Sequence, residues 1–247
     1  MKQTLLAMTA TALLVSASPV AAQTKHLVTG NDFQPFTDES LRAGGLVTEI
    51  VRDAYEQAGY QTEVTFTSWK RGARQVETGN ATVHFPLVKT DARLKRFHYS
   101  DPVFTSDMVP VTRPVDAGAY TSMSDLMNGK TCLPLGWSWG VPKLDNAEDS
   151  GDLHVERPDD MGACYRMLDA GRIDYLVLEK PTIPVDAEAF LGDPGKVIAG
   201  DFKIGESALH AVFDKDGDKA EIEHFNSALQ DLKDSGAYRE IVAAHLD

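Results

Sequence analysis

The sequence predicts an α/β fold of two lobes, each with a mainly parallel sheet flanked by helices. Three observations carry this prediction. Short β-like runs alternate with segments of helical spacing from residue 26 onward. The pattern changes character after Pro114 and again before residue 208, so the chain divides into three successive segments. Its 247 residues are 43% hydrophobic, which is enough apolar material for one large or two small cores.

Residues 1–22 have the pattern of a secretory signal peptide. Lys2 precedes an apolar stretch from Leu5 to Val15, and small residues lead to Ala22. This order predicts cleavage after Ala22 and an exported protein. A retained membrane anchor is the alternative, but the apolar stretch is short for a bilayer. Loss of Lys2 would change the net charge from −13 to −14. Such an acidic chain is not expected to bind nucleic acid or anionic membranes.

The first segment alternates strands and helices in the order of a βαβαβ unit. Apolar residues at helical spacing predict helices over 46–58 and 69–77, which Gly59 and Gly79 end. Alternating or continuous apolar runs predict strands over 26–30, 62–67 and 81–87. The order favours parallel pairing, because each strand is followed by a helix that returns the chain to the same edge.

A second series of the same kind follows Pro114. The predicted elements are a helix over 123–128, a strand over 131–135, a turn over 136–140 that leads into a helix, a short strand at Val155, a helix over 159–170 and a strand over 173–178. The last segment predicts a strand over 208–213 and helices over 219–235 and 238–246.

The chain has two cysteines, Cys132 and Cys164. In an exported protein an oxidising environment favours a disulfide between them. The alternative is a pair of unrelated buried cysteines that act as small apolar residues. Two thiols alone are too few for a closed zinc site.

Sequence motifs of the common enzyme classes are missing. The chain has no nucleophile elbow, HExxH, phosphate loop or dinucleotide fingerprint. The acidic segment after Asp214 resembles a calcium loop only superficially, because Gly217 and Phe225 fall at the wrong positions. We therefore predict no catalytic residue, no metal site and no cofactor.

Four segments together carry a resemblance to a known family. They are PFTDESLRAGGLVTEIVRDAYEQAGY, then ETGNATVHFPLVKTDARLKRFHYSDPVF, then LMNGKTCLPLGWSWG with LDAGRIDYLVLE, and last FNSALQDLKDSGAYREIVAAHL. In their order and spacing the chain resembles periplasmic solute-binding proteins of family 3, which supply ABC transporters with polar amino acids.

The resemblance implies the type II periplasmic binding protein fold, with two lobes joined by two crossover strands. Lobe one would comprise residues 23–110 plus 204–247, and lobe two residues 111–203. A small-molecule ligand would bind between lobes that close by hinge motion. The implied partner is an ABC transporter permease in the inner membrane, and the implied state is a monomer in the periplasm without enzymatic activity.

The resemblance also assigns binding roles to individual residues. Arg93 falls on the family's arginine that binds the ligand carboxylate, for which a planar guanidinium offers two parallel donors. Trp137 and Ser138 fall on the loop that supplies a hydroxyl and backbone N–H groups to the same carboxylate. Glu179 falls where the family usually has aspartate to accept the ligand ammonium group. The alternatives are a surface arginine, a plain helix cap at Ser138 and a surface ion pair of Glu179 with Lys180.

Aromatic residues cluster at the implied cleft, and Phe33, Trp69 and Trp137 are expected to pack against the ligand. Phe85 is expected at the same site. The stretch from Phe85 to Val88 departs from the family, which usually has small hydroxyl residues and free N–H groups there. Pro86 has no N–H and Val88 has no hydroxyl. The ligand is therefore expected to be a carboxylate or zwitterion that need not be a standard amino acid.

Two alternative functions remain open at this point. One is an exported enzyme on the same scaffold, similar to dehydratases of prephenate-like acids, with Glu179 as general acid near Arg93. The other is an accessory or sensor domain that binds a ligand without taking part in transport.

Overall fold

The computed structural model describes residues 23–246, so the predicted signal peptide lies outside the described residues. Within this range the α-helices and β-strands, in chain order, are β1 (Thr24–Thr29), α1 (Leu46–Gln57), β2 (Gln61–Phe66), α2 (Trp69–Glu77), β3 (Val83–Leu87), α3 (Asp91–Leu94), β4 (Phe97–Thr112), α4 (Met123–Met127), β5 (Lys130–Cys132), α5 (Pro142–Ser150), β6 (His154–Glu156), α6 (Met161–Asp169), β7 (Leu176–Glu179), α7 (Thr182–Leu191), β8 (Ile198–Ala199), β9 (Gly205–Asp214), α8 (Lys219–Ser235) and α9 (Ala237–Leu246).

The first three strands form the parallel unit that the sequence predicts. β1 pairs in parallel with β2 on one side and β3 on the other. All five residues of β3 are buried, because helices cover both faces of the sheet. Val83 and Phe85 belong to the apolar core that contains α1 and α8, while α2 packs on the opposite face through Ala73 and Val76.

Two long antiparallel strands connect two separate apolar cores. β4 and β9 pair over most of their length, from Phe97 opposite Asp214 to Met108 opposite Gly205. Phe104 and Leu209 lie in the first core, whereas Met108 lies in the second. The chain thus passes between the cores twice, side by side. We call the part around the first core lobe one and the part around the second core lobe two.

Lobe two is built from α4–α7 and the strands β5–β8. β7 pairs antiparallel with β4, and β5 pairs in parallel with β6. A disulfide joins Cys132 at the end of β5 to Cys164 on α6, with 5.5 Å between the Cα atoms. Both residues are buried in the core of lobe two. The predicted bridge is confirmed.

The sheets differ from the prediction in the direction of their strands. The largest sheet has the order β2-β1-β3-β9-β4-β7, with β8 also paired to β4. Every pair that involves β4 or β9 is antiparallel, so the sheet is mixed rather than mainly parallel. The local pattern missed this because the direction of β9 depends on where the chain returns from lobe two. The exact lobe boundaries, 110/111 and 203/204, stay a prediction.

None of the helices within residues 23–246 combines the length and the apolar character needed to cross a membrane.

Candidate functional site

A cleft of about 530 Å³ lies between the two lobes. Lobe one contributes the loop after β1, the start of α2 and the segment from the end of β3 to α3. Lobe two contributes the loop before α5, the end of β7 and the start of α7. The described residues thus place a cavity of small-molecule size where connecting segments of both lobes meet.

Arg93 lines this cleft from α3. Thr90 caps the short helix by accepting a hydrogen bond from the backbone N–H of Arg93, and the Arg93 side chain donates from Nη1 to the carbonyl of Val88 at 3.1 Å. Burial lowers the pKa of Arg93 below its usual value. Within residues 23–246 no carboxylate oxygen lies within 4.0 Å of this guanidinium. Arg93 is therefore a partly buried cation that faces the cleft without an ion-pair partner.

The loop from Gly136 to Gly140 faces Arg93 from lobe two. Both glycines have positive φ, +79° and +65°, which glycine adopts without strain. The hydroxyl of Ser138 donates to Asp145 on α5 at 3.0 Å and accepts from the N–H of Gly140 at 3.1 Å. Burial raises the pKa of Asp145. In this arrangement the Ser138 hydroxyl holds the loop to α5, and its own proton is already donated.

An aromatic cluster centred on Phe33 spans the cleft. The Phe33 ring lies edge-on to Phe36 at 4.9 Å, to Trp69 at 6.3 Å and to Trp137 of lobe two at 5.8 Å between centroids. Phe33, Trp69 and Trp137 are partly exposed toward the cavity, whereas Phe36 is fully buried. The structure thus brings together the three aromatic residues that the sequence predicts at the ligand.

Phe85 is placed differently from the other predicted site residues. Its side chain is fully buried in the core of lobe one and does not line the cleft. Strand alternation explains this, because successive side chains of β3 point to opposite faces of the sheet. The cleft is instead lined by Pro86 and Val88. Val88 also approaches lobe two, since a Cβ built on Gly140 would lie 2.9 Å from the Val88 Cβ.

Gly30→Ala should displace Trp69 from the cluster. A Cβ on Gly30 would lie between 2.3 and 2.6 Å from three atoms of the Trp69 indole, which is far inside van der Waals contact. We expect a loss of about 1–3 kcal/mol in unfolding free energy from overpacking, measured by urea denaturation, and weaker binding of any ligand that contacts the indole. In a Trp69→Leu background the same change should have a smaller effect. Equal losses in both backgrounds would contradict the predicted clash.

Glu179 lies at the other side of the cleft, at the end of β7. The residue is only 9% exposed and its pKa is raised, first by burial. Asp186 on α7 lines the same cleft, and burial together with the nearby charge of Glu179 raises the pKa of Asp186 to about 8. The cleft is thus lined by the unpaired guanidinium of Arg93 from lobe one and by the buried carboxyl groups of Glu179 and Asp186 from lobe two.

Sequence reasoning missed Asp186 because it missed α7. Pro181 and Pro184 interrupt the segment, which therefore has the punctuation of a loop. In the structure Pro181 is the N-cap of α7 and Pro184 lies in its first turn, where proline removes no helical hydrogen bond. The helix could have been predicted from residues 185–191, which contain no proline or glycine and are followed by Gly192, the left-handed C-cap.

Comparison with known proteins gives one family and many structures of the same fold. A family model described as bacterial extracellular solute-binding proteins, family 3, matches residues 26–247. No curated protein matches the sequence. A histidine kinase sensor domain with similarity to periplasmic binding proteins superposes with a TM-score of 0.74 at 18% identity, covering 91% of this chain and 96% of that one.

Two further solved structures are similar over nearly the whole chain. The ancestral amino acid-binding protein AncCDT-1, a precursor of cyclohexadienyl dehydratase, has a TM-score of 0.71 and 19% identity, and the match covers 91% of this chain and 95% of that one. The ABC transporter substrate-binding protein AbpA from Streptococcus pneumoniae, bound to L-arginine, has a TM-score of 0.69 and 21% identity, with 90% and 94% covered. These similarities confirm the predicted two-lobed α/β fold of type II periplasmic binding proteins.

Proposed function

Because the chain belongs to family 3 of the bacterial extracellular solute-binding proteins, we propose that it captures a small carboxylate-bearing or zwitterionic metabolite between its lobes for delivery to an ABC transporter. The ligand is amino-acid-like in its charges, with an anionic group near Arg93 and a cationic group near Glu179. Phe33, Trp69 and Trp137 enclose its body, and Val88 limits the space beside the carboxylate.

The observation that carries this proposal is the unpaired guanidinium of Arg93. A partly buried cation with no carboxylate within 4.0 Å is unfavourable; burial accordingly lowers the pKa of Arg93, and the more distant carboxylate of Asp145 offsets this effect only in part. A ligand carboxylate would supply the missing charge and two acceptors for the planar fork of donors. Backbone N–H groups of the loop from Gly136 to Gly140 would add to this binding, while Ser138 maintains the shape of the loop through Asp145.

Entry of the ligand requires the lobes to separate. Val88 lies against the position of Gly140, and Phe33 contacts Trp137, so side chains of both lobes meet above the cavity. The two strands that connect the lobes run side by side between Phe104 and Met108 and between Gly205 and Leu209. Bending at these segments would open the cleft without disturbing either core. The proposed cycle is therefore closure over a ligand and reopening at a permease.

The remaining parts of the proposal follow from the family and the N-terminal sequence. We expect export to the periplasm with cleavage after Ala22, a monomeric state, a permease of the inner membrane as partner, and no cofactor. A strain that lacks the gene should lose uptake of the ligand. Normal uptake in that strain would instead favour a sensing role for the same cleft.

A thermal-shift screen tests ligand capture directly. A compound that binds only the folded protein raises its melting temperature, by an amount that grows with concentration above Kd. Amino acids, amines and small organic acids should be screened at matched concentration and pH. We expect shifts from compounds that combine a carboxylate with a protonated amine and an apolar body. The absence of a shift from every carboxylate would contradict the proposal.

One observation favours a second candidate function. Glu179 is a buried carboxyl group with a raised pKa in a cleft that also contains a free arginine, as a general acid requires. A dehydratase-like reaction on a prephenate-like acid is therefore the alternative. Incubation of the purified protein with prephenate or arogenate distinguishes the two functions. Formation of phenylpyruvate or phenylalanine, lost in Glu179→Gln, would establish the enzyme and overturn pure binding.

A further inference from the structure

α7 directs a second carboxyl group toward Glu179. The hydroxyl of Thr182 donates to the carbonyl of Glu179 at 3.0 Å, which fixes the start of α7 against the end of β7. Asp186 follows Thr182 by four residues and therefore lies on the same face of the helix. Both residues line the cleft, as does Glu179. The strand end and the first turns of the helix thus present two carboxyl groups to one cavity.

The two carboxyl groups have no cation beside them. Within residues 23–246 no lysine, arginine or histidine nitrogen lies within 4.0 Å of Glu179 or Asp186. Glu179 is more than nine-tenths buried; the Ser207 hydroxyl and the Glu179 backbone N–H act on its carboxylate and lower its pKa, but in the described part of the chain no hydrogen-bond partner lies within 3.5 Å of the Ser207 hydroxyl. The hydroxyl of Tyr165 likewise acts on Asp186 and lowers its pKa, but it has no hydrogen-bond partner within 3.5 Å among the described residues.

The neighbouring elements do not neutralise this pair. The basic residue of α6, Arg166, pairs with Asp160, and Lys196 of the segment after α7 pairs with Asp169. Lys180, next in sequence to Glu179, lies 3.9 Å from Asp107 on the outer side of β4. Tyr165 and Glu179 are the titratable groups that face Asp186.

We propose that Asp186 and Glu179 form a subsite for an organic cation, and that the pair holds one proton which leaves when the cationic group of the ligand binds. This inference rests on the proposed function, because the cation is part of the captured ligand. An alkylammonium or guanidinium group would donate to both carboxylates. The released proton passes to the buffer. Binding therefore exchanges one proton for the cationic group of the ligand.

The direction of the pH dependence follows from the titration of Asp186. Without ligand, burial and the charge on Glu179 raise the pKa of Asp186 to about 8, so near pH 7 this group is mostly protonated. A bound cation favours the ionised form of both groups. Affinity for a cationic probe should therefore rise as pH increases from about 6 to 8 and level off above.

Calorimetry with matched probes tests the subsite. L-norleucine and hexanoate differ by the α-ammonium group, and 1,5-diaminopentane has no carboxylate. We expect the wild type to prefer norleucine to hexanoate by about tenfold or more at pH 8, and Asp186→Asn to reduce that preference to about twofold or less. Titrations at pH 7 in two buffers of different ionisation enthalpy should show about one proton released by the wild type and close to none by Asp186→Asn.

Glu188→Gln is the matched control, because Glu188 lies on the same helix but is exposed to solvent. This variant should keep both the preference and the proton release. Glu179→Gln should reduce the proton release without abolishing it, because it removes the nearby charge but leaves the burial that also raises the pKa of Asp186. If the wild type binds no cationic probe more tightly than Asp186→Asn does, the subsite is overturned.

A second readout does not depend on the ligand. Because the folded-state pKa of Asp186 lies above its ordinary value of 3.8, the folded protein holds more protons than the unfolded chain between these two pKa values. The stability contributed by this group is therefore lost as pH rises from about 4 to 8. The melting temperature of the wild type should fall relative to that of Asp186→Asn over this range, and parallel curves would overturn the shared proton.

The two proposals fail in different ways. Binding of hexanoate as tightly as norleucine would remove the subsite and leave ligand capture intact. No binding of any carboxylate or amine by the folded wild type would remove both.

Discussion

Arg93→Ala is expected to abolish measurable binding of the best carboxylate ligand, with a loss of affinity of about 100-fold or more. Loss of one partner from a buried, hydrogen-bonded charge pair costs about 2–5 kcal/mol, because the other charge stays buried and unpaired. In this variant the ligand carboxylate would have only the N–H groups of the loop from Gly136 to Gly140. Isothermal titration with the strongest compound of the screen measures the loss.

Two further variants show whether ligand affinity depends on the paired donors of Arg93 or on its positive charge alone. Arg93→Lys keeps the charge but loses the two parallel donors, so it should restore only part of the affinity. Arg96→Ala removes a neighbouring cation that also borders the cleft but pairs with Glu77, and it should change the affinity little. Arg93→Ala should fold normally, because the guanidinium forms no ion pair in the described structure and the Val88 carbonyl keeps the hydrogen bond donated by the Tyr99 hydroxyl. Affinity equal to that of the wild type in Arg93→Ala would remove this residue from the site.

The second large effect is expected from the disulfide of lobe two. Replacement of both Cys132 and Cys164 by alanine should lower the free energy of unfolding by about 3–4 kcal/mol. The bridge closes a loop with a sequence separation of 32, and its removal increases the entropy of the unfolded chain accordingly. Both sulfur atoms are buried beside apolar residues, so alanine also leaves a small cavity. Urea denaturation of both proteins measures the difference.

Reduction of the wild type provides an independent comparison. The reduced protein keeps both sulfur atoms in the core. Reduction should therefore remove the stabilisation that comes from the lower entropy of the cross-linked unfolded chain, but it should leave the packing of the core unchanged. Cys132→Ala alone should resemble the double variant, because Cys164 then has no partner. A double variant as stable as the oxidised wild type would show that the bridge contributes no stability. Ligand affinity should change little, since neither cysteine lines the cleft.

The local sequence pattern was sufficient to predict most helices and strands of lobe one. The predicted helices over 46–58 and 69–77 correspond to Leu46–Gln57 and Trp69–Glu77, and the predicted strands over 62–67 and 81–87 overlap the observed Gln61–Phe66 and Val83–Leu87. Both helices have a clear apolar period and are followed closely by a glycine. The predicted helix over 159–170 is observed as Met161–Asp169, with Asp160 as its N-cap. Spacing and caps act within a few residues, so one sequence is enough to reveal them.

The strand β4 could not be predicted in this way. It runs for 16 residues from Phe97 to Thr112 and contains Pro102 and Pro110, which lower any strand propensity. The register shifts where Pro102 lies, and the pairing resumes opposite Leu209. Its partner β9 is about one hundred residues away in the sequence. Long-range pairing therefore decides this strand, and with it the antiparallel part of the sheet.

Residue type and short spacing are sufficient to predict the α/β class and the candidate disulfide, and the resemblance to family 3 supplies the candidate cleft residues. The surroundings of those residues become visible only in the folded chain. Arg93 has no ion-pair partner among the described residues, the hydroxyl of Ser138 donates to Asp145, Phe85 packs into the core, and Asp186 lies near Glu179. Elements distant in sequence set the burial and the nearest charge of each group, and these two quantities control how the group binds.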